Sequence, residues 1–491
     1  MEDDTIVLCQ NEGMSWAEFL AALKQAGEYH IYDTSCNVSG KTYCAIVRNT
    51  SEKKLAVMGD NGDFVGIETG SMKICPLTVE NANALMKYFP YTKPCSHQGH
   101  PFTFGLGDRL GLATPGQLRA ISDYGAFPVL AQQSIRELNL TGRTFPEVIA
   151  AAAFGVFQEG YQDGYGADGD HLKTREEIKY ALDSGCTMIT LDCSEYINDD
   201  AATFDGTALN RSYAELPETT RSHYEKKYLN KKLPMIGELS SEGLKRIVLV
   251  FYKAVEHAIS CYQYIAETAT DQVDFELSID EAMAITAPSE HYIIAAELHD
   301  AGITPVSVAP HFIGYFEKGI EYQGNLDQFA SDLKVHQQIA DAFGYKLSLH
   351  SGSDKFSVFS ILHKITKGNV HVKTAGTNWL EAVRVLAREE PKLYRKAHQY
   401  ALEHRSEATK YYHVTTDPKT IPNIDLLSDA YLPELLELPA SRQLMHITYG
   451  ILLSQPWFRV PFFAMLHEKE EAYYSCLERH IGRHLRYLTA D

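Results

Sequence analysis

From about residue 102 onward, short apolar or alternating runs are separated by helix-length segments, the rhythm of a parallel sheet wrapped by helices. Eight runs read as strands: Phe102–Leu106, Phe127–Leu130, Tyr165–His171, Met188–Cys193, Asp274–Asp280, Pro305–His311, Lys346–His350 and Asn369–Thr374. Helices are predicted between them, among them Phe145–Gly160, Asn325–Phe343 and Glu238–Glu267, the last following a long polar insertion over about Asn198–Leu233 after the fourth strand. Successive strand–helix units of this kind predict a (β/α)8 TIM-like barrel, with the open doubly wound sheet as the rival. Residues 1–100 read differently, as a small α+β region with β-rich runs at Thr42–Val47 and Leu55–Met58 and a turn at Gly59–Gly62. The predicted organisation is therefore an N-terminal region over 1–100, the barrel over 101–390, and a helical, aromatic C-terminal extension over 391–491.

Within the strands a period of two sorts side chains onto two faces. Phe275, Leu277 and Ile279 oppose Glu276, Ser278 and Asp280; Val306 and Val308 oppose Ser307, Ala309 and His311. Leu347 and Leu349 oppose Ser348 and His350, Val370 and Val372 oppose His371 and Lys373, and Ile189 and Leu191 oppose Thr190 and Asp192. In the first strand Phe102, Phe104 and Leu106 oppose Thr103, Gly105 and Gly107, with Arg109 next in register. In a barrel the apolar set packs on the helices, so the polar set must point into the lumen. An unpaired polar group there costs several kcal/mol. Polar groups at the C-terminal ends of several strands are therefore expected to serve chemistry, which barrels place at that end.

Composition narrows the partners. Against 45 Lys and Arg stand 64 Asp and Glu, a formal charge of −19. That balance argues against nucleic acid and against an anionic membrane surface, both of which reward clustered cations. No run of apolar residues reaches membrane-spanning length, and the start, MEDDTIVLCQNEG, is acidic where a signal peptide is basic and then apolar. Nine scattered cysteines without a CxxC pair fit reduced thiols in a cytoplasm and exclude zinc-ribbon chemistry. Assembly with further copies of the chain is left open.

Histidines ending consecutive inward-facing sets, His311 and His350, beside an inward Glu276, predict a metal site. Tyr165-Gly-Ala-Asp-Gly-Asp-His171 adds Asp168, Asp170 and His171 at the end of the third strand. Imidazoles with carboxylates suit Zn, Mn, Ni or Co better than Ca or Mg. Gly105-Leu-Gly107-Asp-Arg-Leu-Gly111 approaches a dinucleotide fingerprint, but its third glycine comes one residue late, so a turn is expected there and no nicotinamide cofactor. Ser351–Asp354 and Thr374–Asn378 follow the last two strands and open helices, either to hold an anion or as ordinary N-caps. No GxSxG elbow supports hydrolase chemistry.

At these same segments the chain resembles the tagaturonate/fructuronate epimerase family of bacterial hexuronate catabolism. The resemblance is carried by FTFGLGDRLGLATPGQLRA (102–120), VLAQQSIREL (129–138), GYGADGDHLKT (164–174), FELSIDE (275–281), SVAPHFIGYFEKGIEY (307–322) and LSLHSGSDKFSVF (347–359). It implies a metal-dependent enzyme that inverts C4 of a keto-hexuronate, interconverting D-tagaturonate and D-fructuronate. It further implies Asp170 and Glu276 as the proton-handling pair and His171, His311 and His350 on the metal. Arg109, Asp192, Lys373, Ser351 and Asp354 are then the expected contacts to the sugar acid. Because C4 lies β to the ketone, its C–H is not acidified, and cleavage and re-formation of C3–C4 by retro-aldol chemistry is the expected route. A metal-dependent aldose–ketose isomerase and a non-catalytic sugar-acid sensor remain as alternatives.

Overall fold

The computed structural model describes residues 15–50, 52–97, 99–412 and 414–489; the acidic start, with Cys9, lies outside them. Eight parallel strands close into a barrel: β1 (Phe102–Gly105), β2 (Phe127–Ser134), β3 (Gly166–Leu172), β4 (Met188–Asp192), β5 (Asp274–Ser278), β6 (Ser307–Ala309), β7 (Lys346–Leu349) and β8 (Val370–Lys373). Each pairs with its neighbours in sequence, and β8 pairs with β1. The open-sheet rival is thereby excluded. The registers place Thr190 beside Glu276, Glu276 beside Ser307, and His371 beside Thr103, so the polar residues of the alternating pattern share the lumen.

Two departures from the sequence pattern shape the upper rim. Strand β6 ends at Ala309, because Pro310 has no N–H to continue the ladder, and His311 lies in the loop beyond it. In β3, Ile189 pairs with Gly169 while Leu191 pairs with Leu172, so Asp170 and His171 together face the single residue Thr190. This is a β-bulge, and His171 adopts φ 54° within it. Strict alternation would send adjacent residues to opposite faces; the extra residue re-aims His171 towards the side Asp170 occupies.

The insertion after β4 forms two helices, Gly206–Ala214 and Glu218–Tyr228, ahead of α1 (Ser241–Thr268). After β8 come α2 (Gly376–Glu389), then in the C-terminal extension α3 (Pro439–Ile447), α4 (Tyr449–Leu453) and α5 (Glu470–Thr489). Trp379 of α2 is fully buried against Tyr449, Phe458 and Phe462, and α5 packs along the barrel helices Thr114–Ile121, Phe356–Thr366 and α2. The extension is thus an integral wall of the barrel unit.

The chain separates into two units, the described residues up to Lys93 with Ala153–Gln162, and Pro94–Ala152 with Asp163 onward. The smaller unit contains an antiparallel sheet ordered His30–Ile31, Thr42–Arg48, Lys53–Gly59, Met72–Pro76, Ile67–Thr69, with Asn37–Ser39 also paired to Thr42–Arg48. Helix Trp16–Ala26, opened by a Ser15/Glu18 capping box, buries Phe19 and Leu23 with Ala45, Val47, Ala56 and Met58 of that sheet.

Candidate active site

The centre of the lumen is built on one ammonium. Lys373 Nζ lies 2.9 Å from Asp168, 2.8 Å from Asp170 Oδ1, 2.9 Å from Glu276 Oε1 and 2.6 Å from Thr190 Oγ1. A buried cation persists only when compensated in this way. Burial alone would raise the Asp170 and Glu276 carboxyls, but Lys373 and the neighbouring histidines hold both well below the usual carboxylate range. Asp168 absorbs the crowding: burial and its two carboxylate neighbours push it up to about 6 against the pull of Lys373.

Above this layer His171, Asp280 and His350 offer ligand atoms that all lie within 4.8 Å of one another. His350 Nδ1 is 3.0 Å and His171 Nε2 3.8 Å from Asp280 Oδ1. The opposite nitrogen of each ring rests on another carboxylate: His171 Nδ1 on Asp170 at 2.8 Å, His350 Nε2 on Glu276 at 2.8 Å. Burial pulls both imidazole pKa values down, yet the surrounding carboxylates raise His350 and hold His171 well above the ordinary histidine value. The site is organised around positive charge. Two imidazoles and a carboxylate, each ring backed by a second carboxylate, form the donor set of a divalent transition-metal site. Backbone strain gathers here as well, with His171 at φ 54° and Ser351 at φ 52°.

A cavity of about 530 Å³ opens over these groups, with Asp170, His171, Asp280, His350 and Lys373 on one side and Arg109, Lys318 and His446 also in its wall. Three buried polar side-chain atoms in that wall have no hydrogen-bond partner: Arg109 Nη1, Gln132 Oε1 and His446 Nδ1. Unsatisfied buried groups beside a hollow are a feature of functional sites.

A sequence model of tagaturonate epimerases matches residues 32–488 of this chain. The chain belongs to the tagaturonate epimerase family. Proteins of this family are isomerases. A tagaturonate/fructuronate epimerase from Thermotoga maritima is 38% identical over 469 residues, 93% of this chain and 96% of that protein. The native crystal structure of the fructuronate-tagaturonate epimerase UxaE from Cohnella laeviribosi is 48% identical, with a TM-score of 0.93, over 96% of this chain and 99% of that one. A glycerol complex of the same enzyme gives 47% identity and the same TM-score and coverage.

In this family member the structure brings together most, but not all, of the residues expected at the site. Asp170, His171, His350, Lys373, Asp192, Arg109 and Ser351 line the cavity. Glu276 does not: it is fully buried one layer below, its Oε2 accepting from Ser307 at 2.5 Å and its Oε1 shared by His350 and Lys373, so it meets the cavity only through those two side chains. His311 stands outside the three-residue cluster, its Nδ1 2.8 Å from the Ala282 carbonyl and its Nε2 without a hydrogen bond among the described residues. Asp192 is partly engaged, accepting from Ser194 N–H at 2.8 Å and facing Lys173 Nζ at 3.5 Å.

Asp354 is a correction. It is not in the cavity wall; its carboxylate pairs with Arg442 at 2.6 Å and His480 at 2.7 Å, while its N–H donates to His484 Nε2 at 2.9 Å. These partners come from α3 and α5, so Asp354 ties the β7 loop to the C-terminal extension. Asp354, His480 and His484 also lie close enough to resemble a second metal cluster. Arg442 already neutralises the carboxylate, and the nitrogen His484 would offer is taken by backbone.

Asp280, Lys318 and His446 were not anticipated as site residues. Asp280 shares the polar face of its strand with Glu276, a signal available in the sequence. Lys318 lies in a loop and His446 in the extension, where no periodicity points at the barrel.

Proposed function

We propose that this protein interconverts D-tagaturonate and D-fructuronate by inverting C4, with a divalent cation held by His171, His350 and Asp280 and joined by His311. The observation that carries the reading is the pair of imidazoles whose far nitrogens each rest on a carboxylate, in a chain of this family. His311, fixed through Nδ1, has Nε2 to offer. When bound, the cation would supply Lewis-acid stabilisation of the negative charge that develops at the ketone end of the sugar.

The chain's own groups handle the proton. Asp170 Oδ1 is occupied by His171 and Lys373, and its Oδ2 makes no hydrogen bond among the described residues. Held ionised at the cavity wall, Asp170 is placed to take the proton from the C4 hydroxyl. As that O–H bond breaks, the C4–O double bond forms and the C3–C4 pair passes into the C2–C3 enediolate. Rotation of the new aldehyde exposes its other face, C3–C4 re-forms, and the proton returns to O4 with inverted configuration. That return needs a second acid/base group. Glu276 serves that return indirectly: Lys373, in the cavity wall with its Nζ 2.9 Å from Glu276 Oε1 and 2.8 Å from Asp170 Oδ1, gives a proton to O4 and recovers one from Asp170, while Glu276 holds the ammonium in place.

The test is to strip the protein of metal, add back Zn, Mn, Ni or Co singly, and follow D-fructuronate by NMR. Conversion restored by a divalent ion supports the reading. No conversion with any of them overturns it.

A further inference from the structure

We propose that Arg109, Lys318 and His446, with the N-terminus of α2, form an anion subsite that receives the C6 carboxylate of the sugar acid and so sets which end of the substrate meets the imidazole cluster. This deepens the epimerase reading and rests on it for the identity of the ligand.

Arg109 is 5% exposed and rigidly mounted. Its Nε and Nη2 bind Glu137 Oε1 at 2.8 and 2.6 Å, and its guanidinium stacks 3.9 Å over the Tyr449 ring of α4. Only Nη1 is left without a partner, on a residue that lines the cavity. Lys318 donates to Ser351 Oγ at 2.6 Å and has no carboxylate partner among the described residues. His446, 1% exposed and a lining residue of the cavity, has an unpartnered Nδ1. Its ring lies directly on Gly376, where a Cβ would stand 1.9 Å from Nε2, and on Gly319, where it would stand 3.2 Å from the His446 Cβ. Helix α2 begins at Gly376 with no side chain capping it, and both Ala375 and Gly376 line the cavity. An uncapped helix N-terminus attracts negative charge. Here it stands beside Lys318, whose ammonium has no carboxylate to balance it among the described residues, and beside the buried Arg109 and His446.

Orientation follows from how the wall divides. The donor set of His171, Asp280 and His350 would hold the cation that the ketone meets, which leaves the carboxylate the rest of the wall. There Arg109 is balanced by Glu137, also a wall residue, so Lys318, with no carboxylate partner among the described residues, supplies the attracting charge. A keto-hexuronate has its ketone near one end and its carboxylate at the other. With the carboxylate on the cationic wall, the ketone and the carbons to be cut fall towards His171 and His350.

Equilibrium binding of D-fructuronate and of D-fructose, which has a hydroxymethyl group in place of the carboxylate, tests this on the metal-loaded protein. Removing Arg109 would strand Glu137, so the variants are Lys318→Met and His446→Phe, each checked for folding by its thermal transition. Expected is an affinity for fructuronate reduced about 10- to 100-fold, the range for one hydrogen bond to a charged group. Any fructose binding should stay within about twofold. Unchanged fructuronate affinity in both variants, or an equal fall for fructose, overturns the subsite. If the variants behave as expected while the wild type turns over no fructuronate, the epimerase reading fails and the subsite stands. If turnover is present and both variants bind like wild type, the reverse holds.

Discussion

His350 Nδ1 lies 3.0 Å from Asp280 Oδ1, joining the end of β7 to the loop after β5 across the mouth of the barrel. The other nitrogen of the same ring is held by Glu276 at 2.8 Å, so the imidazole cannot turn away. His350→Ala is expected to abolish metal retention and conversion together, and Asp280→Asn to weaken both. Metal content after dialysis, read beside activity, checks this; full activity of His350→Ala would remove it from the ligand set.

Glu276→Gln separates two contributions of one residue. If Glu276 acts by orienting His350, metal affinity falls about 10- to 100-fold. If it also handles a proton through Lys373, kcat falls further at saturating metal. Metal titration followed by kinetics at saturation reads the two effects independently. His311→Ala, measured in the same way, should weaken metal binding if His311 joins the set.

Retro-aldol cleavage leaves the hydrogen on C4 in place throughout. Turnover in D2O should therefore return product unlabelled at C4 by NMR. Deuterium at that carbon would show direct proton exchange and rule out the C3–C4 cleavage route.

Gly376→Ala places a methyl group where His446 Nε2 now stands, 1.9 Å from the ideal Cβ position. The imidazole must move, and with it one wall of the cavity. The expected result is kcat/KM for fructuronate lower by about 10- to 100-fold, as for small misplacements of binding groups. Wild-type kinetics in this variant would mean that His446 has no part in substrate binding.

Asp354→Asn should loosen the C-terminal extension from the barrel. Breaking one partner of a buried ion pair costs about 3–5 kcal/mol. Burial would raise the Asp354 carboxyl, but Arg442 and His480 hold it well below its ordinary value. Its contribution is therefore fully present above the unfolded carboxyl pKa of about 3.9 and is lost gradually as pH falls from there through the lower folded value. Burial lowers His484 to about 3, so between about pH 6.5 and that value the unfolded chain binds a proton the folded one refuses, and stability declines with acid. Urea midpoints should show the variant clearly weaker at pH 7, with the gap holding down to about pH 4 and narrowing only below that. Equal midpoints at pH 7 would exclude the latch.

The eight barrel strands were legible because a period of two is a local property: each run declares its two faces without reference to any other part of the chain. The same locality put Thr103, Thr190, Glu276, Ser307, His371 and Lys373 on the lumen side, and the hydrogen bonds among them follow from the registers. Family motifs added the functional expectation. Strand ends were less legible. Pro310 cuts β6 short of His311, and the bulge at Asp170–His171 turns a histidine inward that alternation alone would have sent to the helices.

What the sequence determined by itself was a run of strand–helix units, the polar face of each strand, and the rim residues from which a site would be drawn; that the sheet closes was settled by the pairing of β8 with β1. Only the tertiary structure decided which of them meet. Glu276 proved to lie beneath the cavity floor, Asp354 was drawn off to Arg442 and His480, and Asp280, Lys318 and His446 entered the wall from positions far apart in the chain. The reason is physical: a side chain's face is set by its immediate neighbours, whereas its partner is set by loop paths and by competition among buried charges, which exist only once the chain has closed on itself.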